Sequence, residues 1–528
     1  MAYDFTRRHF FFGSLLAGAV PTGGFGSKLS LKAVGYKSPN EKLNIASIGA
    51  GGKAASDITA CAETENIVAL CDVDGENSKK MFELHDKAPK YTDFRVMLDK
   101  EINNVDAVIV TIPDFMHATA ATWAMERGKH VYVQKPLAHT IWECRWLAEA
   151  AAKYKVATQM GNQGYSNEGT RQCAEMIWSG EIGNVTEVHA WTNRPIWPQG
   201  LPDLPPEMPV PPTMAWDLWL GIAASRPYSK KYAPFAWRGF FDFGCGSLGD
   251  MACHILGAPN LALKLGSPTS VECLKQEGKS QFYFPSKSAL RFDFPARGDM
   301  PPVKIFWYDA RKEQPDIPGI PKEEILGDLP RRRMGGPQQG AQGQRPAQER
   351  PRQDPRVIGQ VFNAKEFFAQ QKADAEQTAQ REERRRAAEA AQPTDAVARR
   401  EAQINRAAAS GSNGSLFVGD KGFITTGTYG ENTRLVPVEK MRDYKFPPEL
   451  LTRSPGHYRD WIRACKGGDA ACSNFSVAAP FTEWITLGVL AYRFEGKLEW
   501  DSEKMRITNN AEANKFIKPL VRKGWSIT

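Results

Sequence analysis

The sequence lacks several features that would narrow its class at once. Its nine cysteines include no C-x-x-C pair, so their spacing indicates neither a zinc site nor a disulfide framework. We predict no metal site and no stable membrane span. With 42% hydrophobic and 24% charged residues, the composition excludes a wholly disordered chain, a collagen and a polytopic membrane protein. The 528 residues instead allow two to four domains.

The net charge of +8 is not spread over the whole chain. Residues 1–40 carry a net +4 and residues 331–410 a net +6, which leaves −2 on everything else. A protein that binds nucleic acid needs its basic residues clustered on the folded body. We therefore expect no nucleic-acid partner.

The N-terminus has the pattern of a twin-arginine export signal. Residues 6–11 read TRRHFF, an apolar run follows as far as Val20, and Ala17-Gly18-Ala19 offers small residues for cleavage. The run is about 11 residues long, whereas a membrane span needs about 20. We expect residues 1–40 to be a removable signal and tether, used by the twin-arginine export machinery, and the mature protein to be periplasmic or otherwise extracytoplasmic. The alternative is a disordered N-terminus with a chance arginine pair.

Short apolar runs alternate with helical patterns from Lys42 onward, which predicts an α/β fold. Such alternation is typical of a doubly wound parallel sheet of the Rossmann type, which we place at residues 41–162. The predicted strands are Leu43–Ile48, Ile67–Cys71, Ala107–Ile112, Val131–Val133 and Val156–Met160, and helices are predicted at Ala54–Ala62, Met116–Arg127 and Ile141–Lys153.

A glycine-rich turn follows the first predicted strand. Residues 49–54 read GAGGKA and fit G-x-G-x-x-A, in which Gly49, Gly51 and Gly52 let the backbone approach a pyrophosphate at a helix N-terminus. Asp72 ends the second strand, where a carboxylate binds the adenosine ribose and repels a 2′-phosphate. The pattern predicts NAD in preference to NADP. The alternative is a plain glycine turn and a surface aspartate.

Polar residues follow two further predicted strands. Thr111, Pro113 and His117 come after one, and Lys135 comes after the next. Ligands bind at the carboxyl ends of strands in open α/β sheets. We therefore assign these residues to the cofactor site, with Lys135 also placed to stabilise an alkoxide. The alternative for Lys135 is a surface lysine before a turn proline.

A pair of titratable residues stands on a later predicted helix. Asp250 and His254 are four residues apart and so share one helix face. An aspartate beside a histidine can fix its tautomer and make it a general base. The alternative is an ion pair that only stabilises the helix.

In combination, these motifs resemble the Gfo/Idh/MocA family of oxidoreductases. The resemblance runs from about Lys42 to Trp307 and resumes at Gly414. It implies a second α/β domain with a large open, mostly antiparallel sheet, placed at residues 163–528. It also implies NAD(P)-dependent oxidation of a secondary alcohol on a sugar, cyclitol or related polyol, in a homodimer or homotetramer.

The resemblance also implies roles for individual residues. Lys135 takes the position of the family's catalytic lysine, and Asp250 and His254 match its Asp/His pair, with His254 as proton acceptor. One departure is Gln134, because the family usually has Glu-Lys-Pro at this point and this chain has Gln-Lys-Pro.

Four residues are weaker candidates for the substrate site, and Asn162 is one more candidate for the cofactor site. Asn162 and Gln163 follow a strand and are expected to border the nicotinamide, Asn162 as a cofactor residue and Gln163 as a substrate residue. Arg194 and Trp197 stand in a polar and aromatic cluster, and His457 lies on a predicted helix. Aromatic faces pack on sugar C–H surfaces and Arg binds hydroxyls, although a tryptophan-rich stretch is also typical of a core or an interface.

The second domain is expected to be interrupted by a low-complexity insert at about residues 318–410. Residues 331–357 are rich in Arg, Gln, Gly and Pro, and residues 362–408 favour solvated helices. Strands are expected again at residues 416–418 and 422–424.

The sequence thus predicts an exported, NAD-dependent oxidoreductase that acts on a secondary hydroxyl of a sugar, cyclitol or glycoside. Because free NAD is scarce outside the cytoplasm, we expect a tightly bound, recycled cofactor. One alternative is net hydrolysis or lysis of a glycoside through transient oxidation, elimination and re-reduction. Another is a dinucleotide-binding protein without catalysis.

Overall fold

The computed structural model of the chain describes residues 41–311, 313–329, 362–369 and 413–527. The predicted export signal and most of the predicted insert lie outside these residues.

The N-terminal part is the predicted doubly wound sheet. Six parallel strands run in the order β3-β2-β1-β4-β5-β6, with crossover helices between them. The strands are β1 Asn44–Ile48, β2 Asn66–Cys71, β3 Lys90–Tyr91, β4 Ala107–Val110, β5 His130–Val133 and β6 Thr158–Met160, and the helices are α1 Lys53–Ala62, α2 Gly75–Leu84, α3 Phe94–Glu101, α4 His117–Glu126 and α5 Ile141–Tyr154. The predicted Rossmann-type fold is therefore confirmed.

Local chemistry sets the ends of these helices. Thr140 accepts the backbone N–H of Glu143, and the Glu143 carboxylate accepts the backbone N–H of Thr140, so α5 begins with a capping box. The side chains of Asp74 and Asp93 cap α2 and α3 by accepting backbone N–H groups. By contrast, α1 has Gly52 as its N-cap and no side-chain cap, so no side chain competes with a ligand for the N–H groups of its first turn.

The C-terminal part is a mixed sheet of nine strands in the order β13-β12-β11-β7-β10-β9-β8-β14-β15. Only β7 and β10 pair in parallel within this described sheet, so the predicted large, mostly antiparallel sheet is confirmed. The strands are β7 Val185–Trp191, β8 Ser270–Glu277, β9 Lys287–Phe294, β10 Val303–Tyr308, β11 Gly414–Gly419, β12 Gly422–Thr426, β13 Arg434–Val436, β14 Lys497–Asp501 and β15 Arg506–Ile507, and the helices are α6 Glu168–Trp178, α7 Trp216–Leu220, α8 Gly246–Ile255, α9 Gly257–Ala262, α10 His457–Cys465 and α11 Phe475–Ala491.

Helix α10 completes the N-terminal layer although it comes from the far end of the chain. Its Trp461 is fully buried in one apolar cluster with Ile45 of β1, Ile58 of α1 and Tyr132 of β5. Truncating such a buried aromatic side chain costs about 3–5 kcal/mol. The packing therefore holds the start of α10 close to the glycine-rich turn.

The described chain continues beyond Pro318, where the insert is predicted to begin. Leu326 is buried against Trp191, and Ile320 packs on the same cluster, so the ordered chain continues past Pro318. The backbone N–H of Asp328 donates to the carbonyl of Asn413 at 2.9 Å, which brings the two flanks of the insert together. Of the predicted helical stretch, residues 362–369 are described, and 364–369 of them are helical.

Candidate active site

The glycine-rich turn has the shape that a dinucleotide phosphate needs. Gly49 has φ +93°, and a Cβ there would lie 2.1 Å from the carbonyl oxygen of Thr111. Gly52 has φ +53° with open space around it, and no acidic residue stands in the first turn of α1. The N–H groups of the first turn and the positive end of the helix dipole then face that space. The turn therefore fits NAD, with Gly49, Gly51 and Gly52 as its cradle.

Asp72 lies directly beside this turn. One of its carboxylate oxygens accepts the N–H groups of Ala50 at 2.8 Å and Gly51 at 3.1 Å, and the other accepts that of Asp74 at 2.9 Å. Burial raises the pKa of Asp72, against the effect of these hydrogen bonds. The carboxylate thus shapes the turn, and its contact with a ribose stays a prediction.

Lys135 and Asp250 meet at the carboxyl edge of the N-terminal sheet. The Lys135 ammonium donates to the Asp250 carboxylate at 2.5 Å and to its backbone carbonyl at 2.9 Å. Arg238 approaches the same carboxylate oxygen at 3.5 Å. Burial alone would raise the pKa of Asp250, but the charges of Lys135 and Arg238 outweigh it and hold the pKa at about 2. The side chains of Lys135 and Asp250 remain 14% and 16% exposed, so the ion pair is open to a ligand.

His254 lies one turn beyond Asp250 on α8 and is buried. Its Nδ1 has no hydrogen-bond partner among the described residues, and the ring stands edge-on to Tyr429 with centroids 4.7 Å apart. Burial, and then the charge of Lys135, lowers the pKa of His254 well below its ordinary value, so the ring is neutral. The expected direct contact with Asp250 is not made, because Lys135 and Arg238 engage that carboxylate, and Asp250 acts on the ring only through its charge.

Two more unpaired polar groups stand after β6. Asn162 is fully buried; its Oδ1 accepts the Ser473 hydroxyl at 2.5 Å, and its Nδ2 has no partner in the described part of the chain. The Nε2 of Gln163 is also buried and has no hydrogen-bond partner among the described residues. Buried donors without acceptors cost about 1–3 kcal/mol each, so they indicate a site that a ligand completes.

The residues after β4 have structural contacts that their motif did not reveal. Both ring nitrogens of His117 lie 2.8 Å from backbone carbonyls, those of Pro136 and Ile112, so the ring joins the loops after β4 and β5. Burial lowers the pKa of His117 to about 4. Pro113 precedes a short 3-10 turn, Asp114–Met116. Cofactor contacts by His117 and Pro113 stay predictions.

Asp114 was not among the predicted site residues. Its carboxylate is buried and accepts the backbone N–H of Cys245 at 3.1 Å. Burial raises its pKa to about 7, against the charges of Lys135 and Arg238. A carboxyl that titrates near neutral pH beside two catalytic candidates is a functional signal. Its sequence signal was weak, since its direct neighbours Pro113 and Phe115 are apolar and no spacing links it to another titratable residue.

Arg238 and two of its aromatic neighbours, Phe235 and Trp237, were also not predicted. Its guanidinium lies 4.3 Å from the ring centroid of Trp237, 4.8 Å from that of Phe235 and 6.0 Å from that of Trp197. Trp197, a predicted substrate residue, is itself buried, whereas Phe235 is 46% exposed. Phe235 is therefore better placed than Trp197 to contact a substrate.

The other two weak candidates lie in different surroundings. Arg194 donates to the Asn193 side chain at 3.0 Å, and its charge acts on the hydroxyl of Tyr429, which borders His254. His457 is enclosed: its ring contacts the Tyr132 hydroxyl at 3.1 Å and the Ser166 hydroxyl at 2.9 Å. Substrate contacts by either residue stay predictions.

The described residues contain no group of three or more His, Cys, Asp or Glu side chains that could hold a metal ion. None of their helices is long and apolar enough to cross a membrane.

Comparison with known proteins agrees with this geometry. Residues 43–162 match a family model described as "Oxidoreductase family, NAD-binding Rossmann fold", and residues 178–278 match "Oxidoreductase family, C-terminal alpha/beta domain". Both models are of the Gfo/Idh/MocA family, so residues 43–162 and 178–278 are similar to it, in agreement with the predicted resemblance. The predicted NAD cofactor is confirmed.

Curated relatives of this family match part of the chain. A "Glycosyl hydrolase family 109 protein" of Solibacter usitatus is 31% identical over 185 residues, which cover 32% of this chain and 41% of that protein. An inositol 2-dehydrogenase of Salmonella typhimurium is 31% identical over 125 residues, 23% of this chain and 37% of that enzyme. The chain thus spans less than half the length of these relatives.

Solved structures share the fold over most of the chain. The WlbA dehydrogenase of Bordetella pertussis, in complex with NADH and UDP-GlcNAcA, has a TM-score of 0.50 at 12% identity, with 87% of this chain and 99% of that chain covered. The enzyme of the same name from Chromobacterium violaceum also has a TM-score of 0.50, at 14% identity with 88% and 97% covered.

Proposed function

We propose that this protein is an NAD-dependent oxidoreductase that oxidises a secondary hydroxyl of a sugar, cyclitol or glycoside. The observation that carries the proposal is the partly exposed Lys135–Asp250 pair beside a neutral, unpaired His254, at the strand edge above the glycine-rich turn. Proton acceptor and charged donor are the two groups that alcohol oxidation requires of a protein.

Each residue has a defined part in that reaction. The neutral imidazole of His254 accepts the hydroxyl proton, and the Lys135 ammonium stabilises the oxygen as negative charge develops on it. Asp250 holds the Lys135 ammonium in place through their ion pair. NAD, when bound at Gly49–Ala54, supplies the hydride acceptor.

The surroundings of Asp250 favour a carbohydrate substrate. Arg238 offers donors for hydroxyls beside the reacting pair, and Phe235 offers an exposed ring face on which sugar C–H groups pack. Asn162 and Gln163 add two unpaired amide donors on the side of β6. Such a set of convergent polar groups beside an aromatic face suits a polyol better than an apolar alcohol.

We further propose that the protein is exported folded, through the signal at residues 1–40, and retains its NAD through many turnovers. All nine cysteines are free, which suits a chain that folds in a reducing compartment before export. A retained cofactor requires a second substrate that is reduced in each cycle.

We also propose a homodimer or homotetramer formed through one face of the nine-stranded sheet. His189 of β7 and Phe306 of β10 stack there with ring centroids 4.9 Å apart and nearly parallel planes. Tyr308 lies parallel to His189 at 6.0 Å. A row of flat rings on one sheet face is typical of an interface.

One experiment tests the activity. The mature protein is purified without added nucleotide, and its absorbance near 340 nm is followed while sugars and glycosides are supplied. Reduced nicotinamide that appears with simple sugars or cyclitols supports the dehydrogenase. A protein that releases dinucleotide on denaturation but oxidises nothing contradicts it, and supports a dinucleotide-binding protein without catalysis.

A second candidate is redox-neutral cleavage of a glycoside through transient oxidation and elimination. It is supported by the likeness to the family 109 glycosyl hydrolase and by Asp114, whose pKa of about 7 keeps a large fraction protonated at neutral pH as an acid for a leaving group. Glycoside cleavage without net formation of reduced nicotinamide would favour it over the dehydrogenase.

A further inference from the structure

A second carboxylate, Asp57, lies beneath the active site and has no part in the chemistry proposed above. Its side chain is fully buried, on the core-facing side of α1. One oxygen accepts from the Lys53 ammonium and the Tyr458 hydroxyl, each at 2.6 Å. The other accepts from the Thr111 hydroxyl and the Gln134 amide, each at 2.9 Å.

These four donors come from four different parts of the fold. Lys53 belongs to the dinucleotide helix α1, Thr111 follows β4, Gln134 follows β5, and Tyr458 belongs to α10. A buried charge is tolerated only when it is fully paired and hydrogen-bonded, and four donors meet that condition. The carboxylate therefore ties together the segments that carry the predicted cofactor and substrate residues.

Gln134 connects this carboxylate to Lys135. Its Nε2 donates to Asp57, while its Oε1 accepts the backbone N–H of Lys135 at 3.3 Å. The Gln134 amide cannot exchange the positions of its oxygen and nitrogen without losing both hydrogen bonds. Gly161 packs so tightly on it that a Cβ there would lie 2.7 Å from the amide nitrogen. The orientation of the Gln134 amide, and with it the start of the Lys135 loop, is thus set by Asp57.

The charge of Asp57 also explains why Gln134 departs from the Glu-Lys-Pro pattern. A glutamate in place of Gln134 would bring two carboxylates within hydrogen-bond distance, and two like charges there cannot both stay ionised. An amide can both donate to Asp57 and accept from Lys135, whereas a glutamate could do so only in its protonated form.

We propose that Asp57 is a positioning residue that acts through Gln134 to hold Lys135 toward Asp250. This arrangement requires that one of positions 57 and 134, and not both, carries a negative charge. The inference rests on the proposed function for its kinetic readout.

The test compares Gln134→Glu, Asp57→Asn and the double variant that carries both substitutions with the wild type. The double variant moves the charge without removing it. Its new asparagine amide can donate to the new glutamate while the asparagine oxygen still accepts from Lys53 and Tyr458, and the Thr111 hydroxyl can reverse its bond. Measured quantities are kcat against pH from 6 to 9, the melting temperature, and the Kd of NADH by fluorescence.

We expect Gln134→Glu to lower kcat at pH 8 by about tenfold, with partial recovery toward pH 6 as the two carboxyls come to share a proton. Asp57→Asn is expected to lower kcat by about fivefold at every pH. The double variant is expected to return to within about threefold of wild type, without the recovery at low pH.

Three outcomes overturn the proposal: Gln134→Glu within twofold of wild type, a loss that does not depend on pH, or a double variant no better than the worse single variant. If Gln134→Glu does not fold, Gln134→Met removes both amide bonds without adding charge, and activity within twofold of wild type would then overturn it.

Failure of the proposed function has a different signature. If the wild type itself oxidises no polyol, the three variants are compared by NADH Kd alone. A weaker Kd in both single variants with recovery in the double variant still supports a shared charge that orders α1 and the loop after β5. Unchanged Kd values in all three contradict it.

Discussion

Asp57 and Asp250 are two carboxylates that each hold a lysine at one edge of the same sheet, yet their surroundings differ. Asp57 is fully enclosed, and both of its oxygens are occupied by donors from the protein. Asp250 keeps 16% of its side chain exposed, and His254, one turn further along α8, has an unpaired Nδ1.

The difference separates a site that is complete from one that awaits a ligand. A satisfied buried network gains nothing from a bound molecule, so it serves rigidity. A region with an unpaired buried polar atom is destabilised until a ligand pairs with that atom. Removing a group near Asp250 should therefore affect chemistry, whereas disturbing Asp57 should affect placement.

The largest effect is expected from the Asp250 region. Lys135→Ala and His254→Ala should each lower kcat by about 100-fold or more, because each removes a group that acts on the transferring proton or the developing charge. Steady-state kinetics with the best polyol measures this. Lys80→Ala, on the exposed face of α2, is the matched control and should change nothing. Losses of less than tenfold in both active-site variants would contradict the assigned roles.

Gly161→Ala tests the Asp57 region by steric pressure. The new Cβ would push on the Gln134 amide, and we expect kcat to fall by about tenfold with little change in the KM for polyol. Gly75→Ala is the control, since a Cβ there meets its nearest neighbour at an ordinary 3.5 Å. Equal activity of the two variants would show that the amide can move freely.

Asp114 should give the active site a titration near neutral pH. Above pH 7 its carboxylate is ionised, which favours the protonated form of His254 and makes that ring a stronger base. We expect kcat/KM to rise by about fivefold between pH 6 and 8, and Asp114→Asn to hold the lower value throughout. A rise near pH 7 that persists in the variant would assign it to another group.

The smallest effect is expected from Tyr429→Phe. The phenol ring borders His254, and its hydroxyl lies in the field of Asp250 and Arg194, so we expect it to contact the substrate rather than the reacting atoms. The KM for polyol should rise by about threefold with kcat unchanged. A change in kcat without a change in KM would place the hydroxyl in the chemistry instead.

The architecture and the glycine-rich turn were predictable because their signals are local. Strand-length apolar runs, helical spacing and the G-x-G-x-x-A pattern each depend on neighbours within one or two elements of the chain. Asp57 had a local signal as well, since it shares the core-facing side of α1 with Ala54 and Ile58 and is the polar residue there.

The rest of the site depends on residues that are distant in the sequence. Arg238 reaches Asp250 from a short aromatic segment with no periodic pattern, and Tyr429 reaches His254 from a loop beyond the insert. Nothing in their own neighbourhoods indicates either contact.

By itself, the sequence determined the order of strands and helices, the phosphate-binding turn and the residue types available for catalysis, because backbone preference and hydrophobic periodicity act over short distances. Only the tertiary structure decided which partners these residues have. Asp250 and His254 share a helix face, yet Asp250 pairs with Lys135, which follows β5. A buried carboxylate binds the strongest donors that folding brings near it.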